Sequence, residues 1–158
     1  MIPKAEVLAV AEQSGLLATT IEKDYVLGWV LFPIAQHPEL SAWIFKGGTC
    51  LKKCYFDTYR FSEDLDFTLP DDSPRDAIAE GLRTVGAWVS RETGIEVPDD
   101  GIEIEESVNK RGERTYQAKL TYRGPLALRQ QQRQRVKFDL THHELVVGAL
   151  AHRPVFHA

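Results

Sequence analysis

The sequence has few of the residues that mark secreted, membrane-bound or zinc-stabilised proteins. Two cysteines in 158 residues are too few for a disulfide framework or for a cysteine-rich zinc site. The longest apolar run, residues 25–35, is too short to span a bilayer. The N-terminus also lacks the basic head and apolar run of a signal peptide. We therefore expect a cytoplasmic protein with no membrane segment.

An excess of basic charge is missing as well. The 23 aspartates and glutamates outnumber the 19 lysines and arginines, so the formal net charge is -4. A protein held on nucleic acid by its overall field would be basic, and binding here would need a local basic patch. The length and the 43% hydrophobic content predict one soluble domain with a true core.

Hydrophobic periodicity predicts a chain that begins with helices and ends with strands. Helices are expected where apolar residues recur at helical spacing, at residues 3–14, 20–36, 49–55 and 75–91. Strands are expected where apolar and polar residues alternate, at residues 43–46, 61–69, 102–108, 115–122 and 135–141. The last three strands follow one another closely and predict a β-meander.

Two aspartates share one face of the predicted strand at residues 61–69. Alternation points Asp64 and Asp66 the same way, while Leu65 between them points into the core. Paired carboxylates are the hard ligands that Mg²⁺ prefers, and they can serve two ions about 3.5–4 Å apart. Asp139, on the polar face of the last predicted strand, is a candidate third carboxylate. The Asp-x-Asp pattern is common, so by itself it leaves a solvated strand open.

A glycine turn precedes these aspartates. Gly47, Gly48 and Thr49 lie between a predicted strand and a helix, where backbone N–H groups and a hydroxyl can hold a triphosphate. A plain strand-to-helix turn is the alternative. Side chains suited to phosphate follow soon after, namely Lys52, Lys53, Arg60 and Ser62. Their clustering favours a nucleotide site over isolated surface charges.

Other polar groups are expected to be structural. His142 and His143 follow Asp139 closely, and an exposed pair is favoured over a catalytic base or metal ligand. The basic and glutamine-rich residues 129–135 are expected to form a solvated loop rather than a phosphate-binding patch. Cys50 and Cys54 are four residues apart and are expected to be packed, reduced thiols.

The order and spacing of these motifs closely resemble the AbiEii/AbiGii-type nucleotidyltransferase toxins, a branch of the DNA polymerase β-like superfamily. The resemblance is carried by residues 45–53 (FKGGTCLKK) and 60–67 (RFSEDLDF). Upstream, residues 21–25 (IEKDY) look like the N-terminal helix of the family. Beyond residue 100 the resemblance depends mainly on residues 136–139 (VKFD).

This resemblance implies an α/β (α+β) polymerase β-like nucleotidyltransferase fold, with a mixed or antiparallel sheet and flanking helices. One domain would span residues 1–158, with N-terminal helices at 3–36 and a catalytic core at 42–141. The implied activity is transfer of a nucleoside monophosphate from an NTP to an acceptor such as tRNA, with a two-ion Mg²⁺ site. The implied partner is a cognate antitoxin, encoded in a toxin–antitoxin or phage-defence operon.

The resemblance also implies roles for individual residues. Asp64, Asp66 and Asp139 would be the catalytic and metal-binding carboxylates, with Asp139 deprotonating the attacking hydroxyl. The nucleotide would be held by Gly47, Gly48, Thr49, Arg60 and Ser62. Lys23 and Asp24 fit either a packing or a substrate-side role.

The sequence departs from the family pattern in one respect. Family members usually continue into a C-terminal helical region with further lysine and aspartate motifs, which this sequence does not contain. A catalytically incomplete domain that binds NTP or another protein is therefore the second hypothesis. A metal-dependent phosphatase or nuclease is a third and weaker one, because a Gly-Gly-Thr turn suits an intact triphosphate.

Overall fold

The computed structural model describes residues 1–55, 63–70, 72–142, 151 and 153–155. Within these residues the helices are α1 (Lys4–Ser14), α2 (Ala18–Gln36), α3 (Gly47–Cys50) and α4 (Arg75–Thr93). A π-helical segment at Leu51–Tyr55 continues α3. The strands are β1 (Ile44–Lys46), β2 (Asp64–Leu69), β3 (Ile102–Val108), β4 (Arg114–Tyr122) and β5 (Gln134–His142). The predicted α+β fold, with a mixed sheet and flanking helices, is confirmed.

The five strands form one sheet in the order β1-β2-β5-β4-β3. β2 and β5 run parallel, whereas all other neighbours are antiparallel. The antiparallel series β3-β4-β5 is the predicted meander. A parallel pair needs a long connection, and the segment between β2 and β5 contains α4, β3 and β4. This crossover inserts β5 beside β2, so that two strands distant in sequence become neighbours.

One face of the sheet carries the hydrophobic core. Its fully buried side chains include Leu65, Phe67, Leu120, Val136, Phe138 and Leu140. α2 and α4 pack on this face and contact each other through Trp88, whose ring centroid lies 5.2 Å from that of Phe32. Burying such side chains stabilises the fold by roughly 1.5–3 kcal/mol each. The opposite face of the sheet carries the polar residues of the same strands.

His142 departs from the expectation of an exposed histidine. It is the last residue of β5, and its side chain is 0% exposed. The strand continues past Thr141, so alternation turns His142 to the core face. There its ring packs edge-on against Tyr116, with centroids 5.3 Å apart. His143 lies outside the described residues.

The two cysteines are buried thiols, as predicted. Cys50 and Cys54 are not joined by a disulfide and are hydrogen-bonded to each other. Burial, followed by the neighbouring Cys54, raises the pKa of Cys50 to about 12. A thiol with such a high pKa is a poor nucleophile at neutral pH. The pair therefore belongs to the packing of the helix that follows the glycine turn.

Leu65→Ala tests whether the residue between the two aspartates anchors β2 in the core. Leu65 is 0% exposed, so we expect a loss of about 2–5 kcal/mol in the free energy of unfolding, measured with urea. Leu17→Ala is the matched control, because Leu17 is 73% exposed and should lose about 0.5 kcal/mol or less. Equal losses in the two variants would contradict the assigned strand alternation.

Candidate active site

Asp66 and Asp139 face each other on neighbouring parallel strands. They are register partners in the β2–β5 pair, and their carboxyl groups interact with each other. Both side chains are half-buried on the polar face of the sheet. The fold thus brings together two of the three predicted carboxylates.

The electrostatics of this pair are unfavourable for two negative charges. The pKa of Asp66 is raised to about 6, first by burial, then by the charge and hydrogen bond of Asp139 and by the charge of Asp64. Lys46, the register partner of Asp66 on β1, opposes this shift. Carboxyl groups with a raised pKa in a polar cluster are typical of functional sites. A bound cation would remove the repulsion.

Gly47 lies directly against Asp66. Its φ of +80° is left-handed, a conformation that favours glycine. A Cβ at this position would lie 2.9 Å from the Cγ atom of Asp66 and closer still to its Oδ2 atom. Because Gly47 has no side chain, the carboxylate of Asp66 can lie directly against the backbone of the turn. The glycine turn and the aspartate strand therefore form one continuous surface.

Thr49 fastens the helix after the glycine turn to the aspartate strand. Its hydroxyl donates a hydrogen bond of 2.5 Å to the backbone carbonyl of Asp64, and its side chain is buried. This contact fixes the distance between the turn and β2. A role for Thr49 in phosphate binding stays a prediction.

Gln117 is a site residue that sequence reasoning missed. Its Nε2 atom donates a hydrogen bond of 3.2 Å to Oδ1 of Asp139, its register partner on β5. Together with Lys46 and Asp66 it completes a polar row across β1, β2, β5 and β4. The only available sequence signal was the register of the predicted meander, which places Gln117 opposite Asp139 once the turn geometry is known.

The remaining predicted residues lie around this row. Asp64 is on the same face of β2, two residues before Asp66, and Gly48 follows Gly47 in the turn. Lys52 is half-buried in the segment that continues α3. Arg60 and Ser62 lie outside the described residues.

The carboxylates supply part of a metal-binding set. Among the described residues, no three His, Cys, Asp or Glu side chains are grouped so that they could hold a metal ion. The neighbouring carboxylates of Asp66 and Asp139 nevertheless supply the hard oxygen donors that divalent cations prefer. The donor chemistry therefore fits a divalent cation. The full set of Asp64, Asp66 and Asp139 as ligands stays a prediction.

The first half of α2 contacts both the segment that follows the glycine turn and the residue that precedes β2. Asp24 forms a salt bridge of 3.0 Å with Lys53, which is 2% exposed. Lys23 and Thr20 both contact Glu63, at 3.8 and 3.4 Å, just before β2 begins. Lys53 was a candidate phosphate-binding cation in the sequence, but in the structure it is buried and paired with Asp24. Of the two roles left open for Asp24, the structure supports packing.

Glu22 gives α2 a third anchor. It is 2% exposed, and its Oε2 atom accepts a hydrogen bond of 2.6 Å from the backbone N–H of Leu126. Gly124 lies so close that a Cβ there would be 3.1 Å from the Cδ atom of Glu22. Burial raises the pKa of Glu22. This carboxylate ties α2 to the connection between β4 and β5.

A mixed sheet with facing carboxylates beside a glycine turn is the arrangement expected of an α+β nucleotidyltransferase. The family model described as "Nucleotidyl transferase AbiEii toxin, Type IV TA system" matches residues 29–155, most of the chain. The chain belongs to this family of nucleotidyltransferase toxins of toxin–antitoxin systems. No curated protein and no solved structure matches it. None of the described helices has the length and hydrophobicity needed to cross a membrane.

Gly47→Ala tests the close approach of the turn to Asp66. We expect it to lose roughly 1–3 kcal/mol more unfolding free energy than Gly112→Ala, because its Cβ would collide with the carboxylate. Gly112 is the matched control, since its φ of +78° is nearly the same and no atom lies within 4 Å of its Cβ position. Similar urea midpoints for the two variants would contradict the contact.

The raised pKa of Asp66 predicts how stability depends on pH without metal. The folded pKa of about 6 exceeds the unfolded value of about 3.9, so folding favours the protonated form. The contribution of Asp66 to the free energy of unfolding is therefore fully present below about pH 4 and is lost as the pH rises through 6. The measured quantity is the unfolding free energy of Asp66→Asn minus that of wild type, with a chelator present. This difference should be about 1–2 kcal/mol larger at pH 8 than at pH 4.

Chemical denaturation at both pH values measures this difference. Glu105→Gln is the control, since Glu105 is an exposed residue on the same face of the sheet. A stability difference for Asp66→Asn that does not change with pH would contradict the assigned environment.

Proposed function

We propose that this chain transfers a nucleoside monophosphate from an NTP to an acceptor RNA such as tRNA, in a reaction that depends on Mg²⁺. The observation that carries the proposal is the contact between Asp66 and Asp139 on adjacent strands, directly beside Gly47. Membership of a nucleotidyltransferase family supports the reaction class.

In the proposed site, Asp66 and Asp139 would hold the Mg²⁺ ions, and Asp64 would contribute from the same strand as Asp66. When bound, Mg²⁺ neutralises phosphate charge and polarises the phosphoryl oxygens. The triphosphate is proposed to lie along the glycine turn, which borders Asp66. Lys52, Arg60 and Ser62 are the proposed phosphate contacts from the chain that follows the turn, with backbone N–H groups from Gly48 and Thr49.

Asp139 is the proposed general base. It accepts the proton of the acceptor hydroxyl, whose oxygen then forms a bond to the α-phosphorus. The bond between the α-phosphorus and the oxygen that links it to the β-phosphorus breaks, and pyrophosphate leaves. Gln117 holds the Asp139 carboxylate in one orientation through its hydrogen bond. This orientation matters because proton transfer requires a correctly placed acceptor.

The proposal extends to the biological setting. The family description names a toxin–antitoxin system, and we propose that a cognate antitoxin counteracts this chain, with a role in phage defence. NTPs and tRNA are cytoplasmic, so the cytoplasm is the proposed site of action.

Transfer of label from α-³²P-labelled NTPs to total RNA tests the activity. Wild type with Mg²⁺ should label RNA and release pyrophosphate, whereas Asp66→Asn and Asp139→Asn should reduce labelling by about 100-fold or more. Glu105→Gln is the control, because it removes a carboxylate from the same face but not from the proposed site.

Three results would contradict the proposal in different ways. Unchanged labelling in both aspartate variants would show that these carboxylates do not carry the reaction. Binding of NTP without turnover by wild type would favour a catalytically incomplete domain. Release of free phosphate in place of pyrophosphate would favour a hydrolase.

A further inference from the structure

A basic cleft lies beside the candidate active site. It has a volume of about 340 Å³, and five of its eight lining residues are lysine or arginine. The basic residues are Lys23, Lys119, Arg133, Arg135 and Lys137. The chain as a whole has a net charge of -4, so this concentration of positive charge is a local feature.

The cleft adjoins the carboxylates of the candidate site, and Asp64 is one of its lining residues. Lys137 on β5 is the register partner of Asp64 on β2, and Lys119 on β4 is the register partner of Lys137. Gly47 contacts Asp66 from the opposite flank, because it follows β1. The carboxylates therefore lie between the glycine turn and the lysines. Two anionic substrates can approach them from opposite sides.

The two lysines form an unfavourable pair in the protein alone. Like charges directly opposite each other on antiparallel strands destabilise a sheet. Within the described part of the chain, neither Lys119 nor Lys137 forms a salt bridge. Glu103, the register partner of Lys119 on β3, is instead 3.9 Å from Arg135. The two ammonium groups are thus available to an anionic ligand.

The shape of the basic surface suits a chain of phosphates better than a single phosphate. Alternate residues of a strand lie about 6.6 Å apart on the same side, so Lys137 and Arg135 on β5 extend away from Asp64 as a track. Arg133 also lines the cleft, just before that strand begins. None of the eight residues that line the cleft is aromatic. Contacts made here would be to phosphates and independent of base identity, since stacking platforms are lacking.

We propose that this cleft binds the phosphate backbone of the acceptor RNA strand, with Lys119 and Lys137 as its central contacts. The inference rests on the proposed function, because it assigns the second substrate of that reaction to the flank opposite the glycine turn. The acceptor's reactive end would then lie over Asp139, which is two residues beyond Lys137 on the same face of β5.

Binding of a fluorescein-labelled single-stranded RNA of mixed sequence tests the proposal directly. Anisotropy of the full chain is measured over a range of salt concentrations, with a chelator and without NTP. Each lost phosphate contact reduces the slope of log affinity against log salt by about 0.7, so Lys119→Gln/Lys137→Gln should reduce it by about 1.4. Affinity at low salt should fall at least about tenfold.

Lys4→Gln/Lys110→Gln is the matched control, because both lysines are exposed elsewhere and the net charge change is identical. It should keep the wild-type slope. Calorimetric binding of NTP should be unchanged, within about twofold, in the cleft variant, since the triphosphate is assigned to the other flank.

Three outcomes would overturn the inference: no measurable RNA binding by wild type, equal losses in the cleft and control variants, or a loss of NTP affinity with RNA affinity unchanged. The last outcome would assign the cleft to the triphosphate. The measurement does not require turnover, so a chain that binds RNA through these lysines but transfers no label would refute the proposed function alone.

Discussion

β2 and β5 pair in parallel at the centre of the sheet, and this pairing sets Asp66 against Asp139. The rest of the site surrounds that contact. Gly47, which follows β1, lies against Asp66, and Gln117 on β4 donates a hydrogen bond to Asp139. The register is held from the other face by buried side chains such as Leu65 and Phe138. A slip of one residue in either strand would turn the carboxylate of that strand into the core. The hydrophobic core therefore determines the geometry of the polar face.

The polar face carries two arrangements that are unfavourable without ligands. The charges of Asp66 and Asp139 repel each other, and Lys119 lies directly opposite Lys137. Natural proteins accept such local losses where function requires them. On our proposals, Mg²⁺ relieves the first and RNA phosphates relieve the second. The rest of the molecule supplies the stability, partly through α2, whose Glu22 and Asp24 form buried polar contacts on two sides of the site.

The parts of the site that are local in sequence were predictable. Alternation around Leu65 placed Asp64 and Asp66 on one face, and the Gly-Gly-Thr turn was expected at the end of a strand. Lys53 and His142 were misjudged because their burial depends on distant partners, namely Asp24 and the core face of the sheet. Gln117 and Lys119 were not singled out, since an isolated polar residue on a strand carries no signal until its register is known.

The sequence by itself determined the family, the order of helices and strands, and the face on which Asp64, Asp66 and Asp139 lie, because these depend on residue type and short-range periodicity. Tertiary structure alone decided which carboxylates meet. The parallel pairing of β2 with β5 joins residues 73 positions apart, from Asp66 to Asp139, and no local pattern encodes that distance. The same pairing places Lys137 beside Asp64 and Lys119 beside Lys137. Basic residues that are distant in sequence therefore line one cleft.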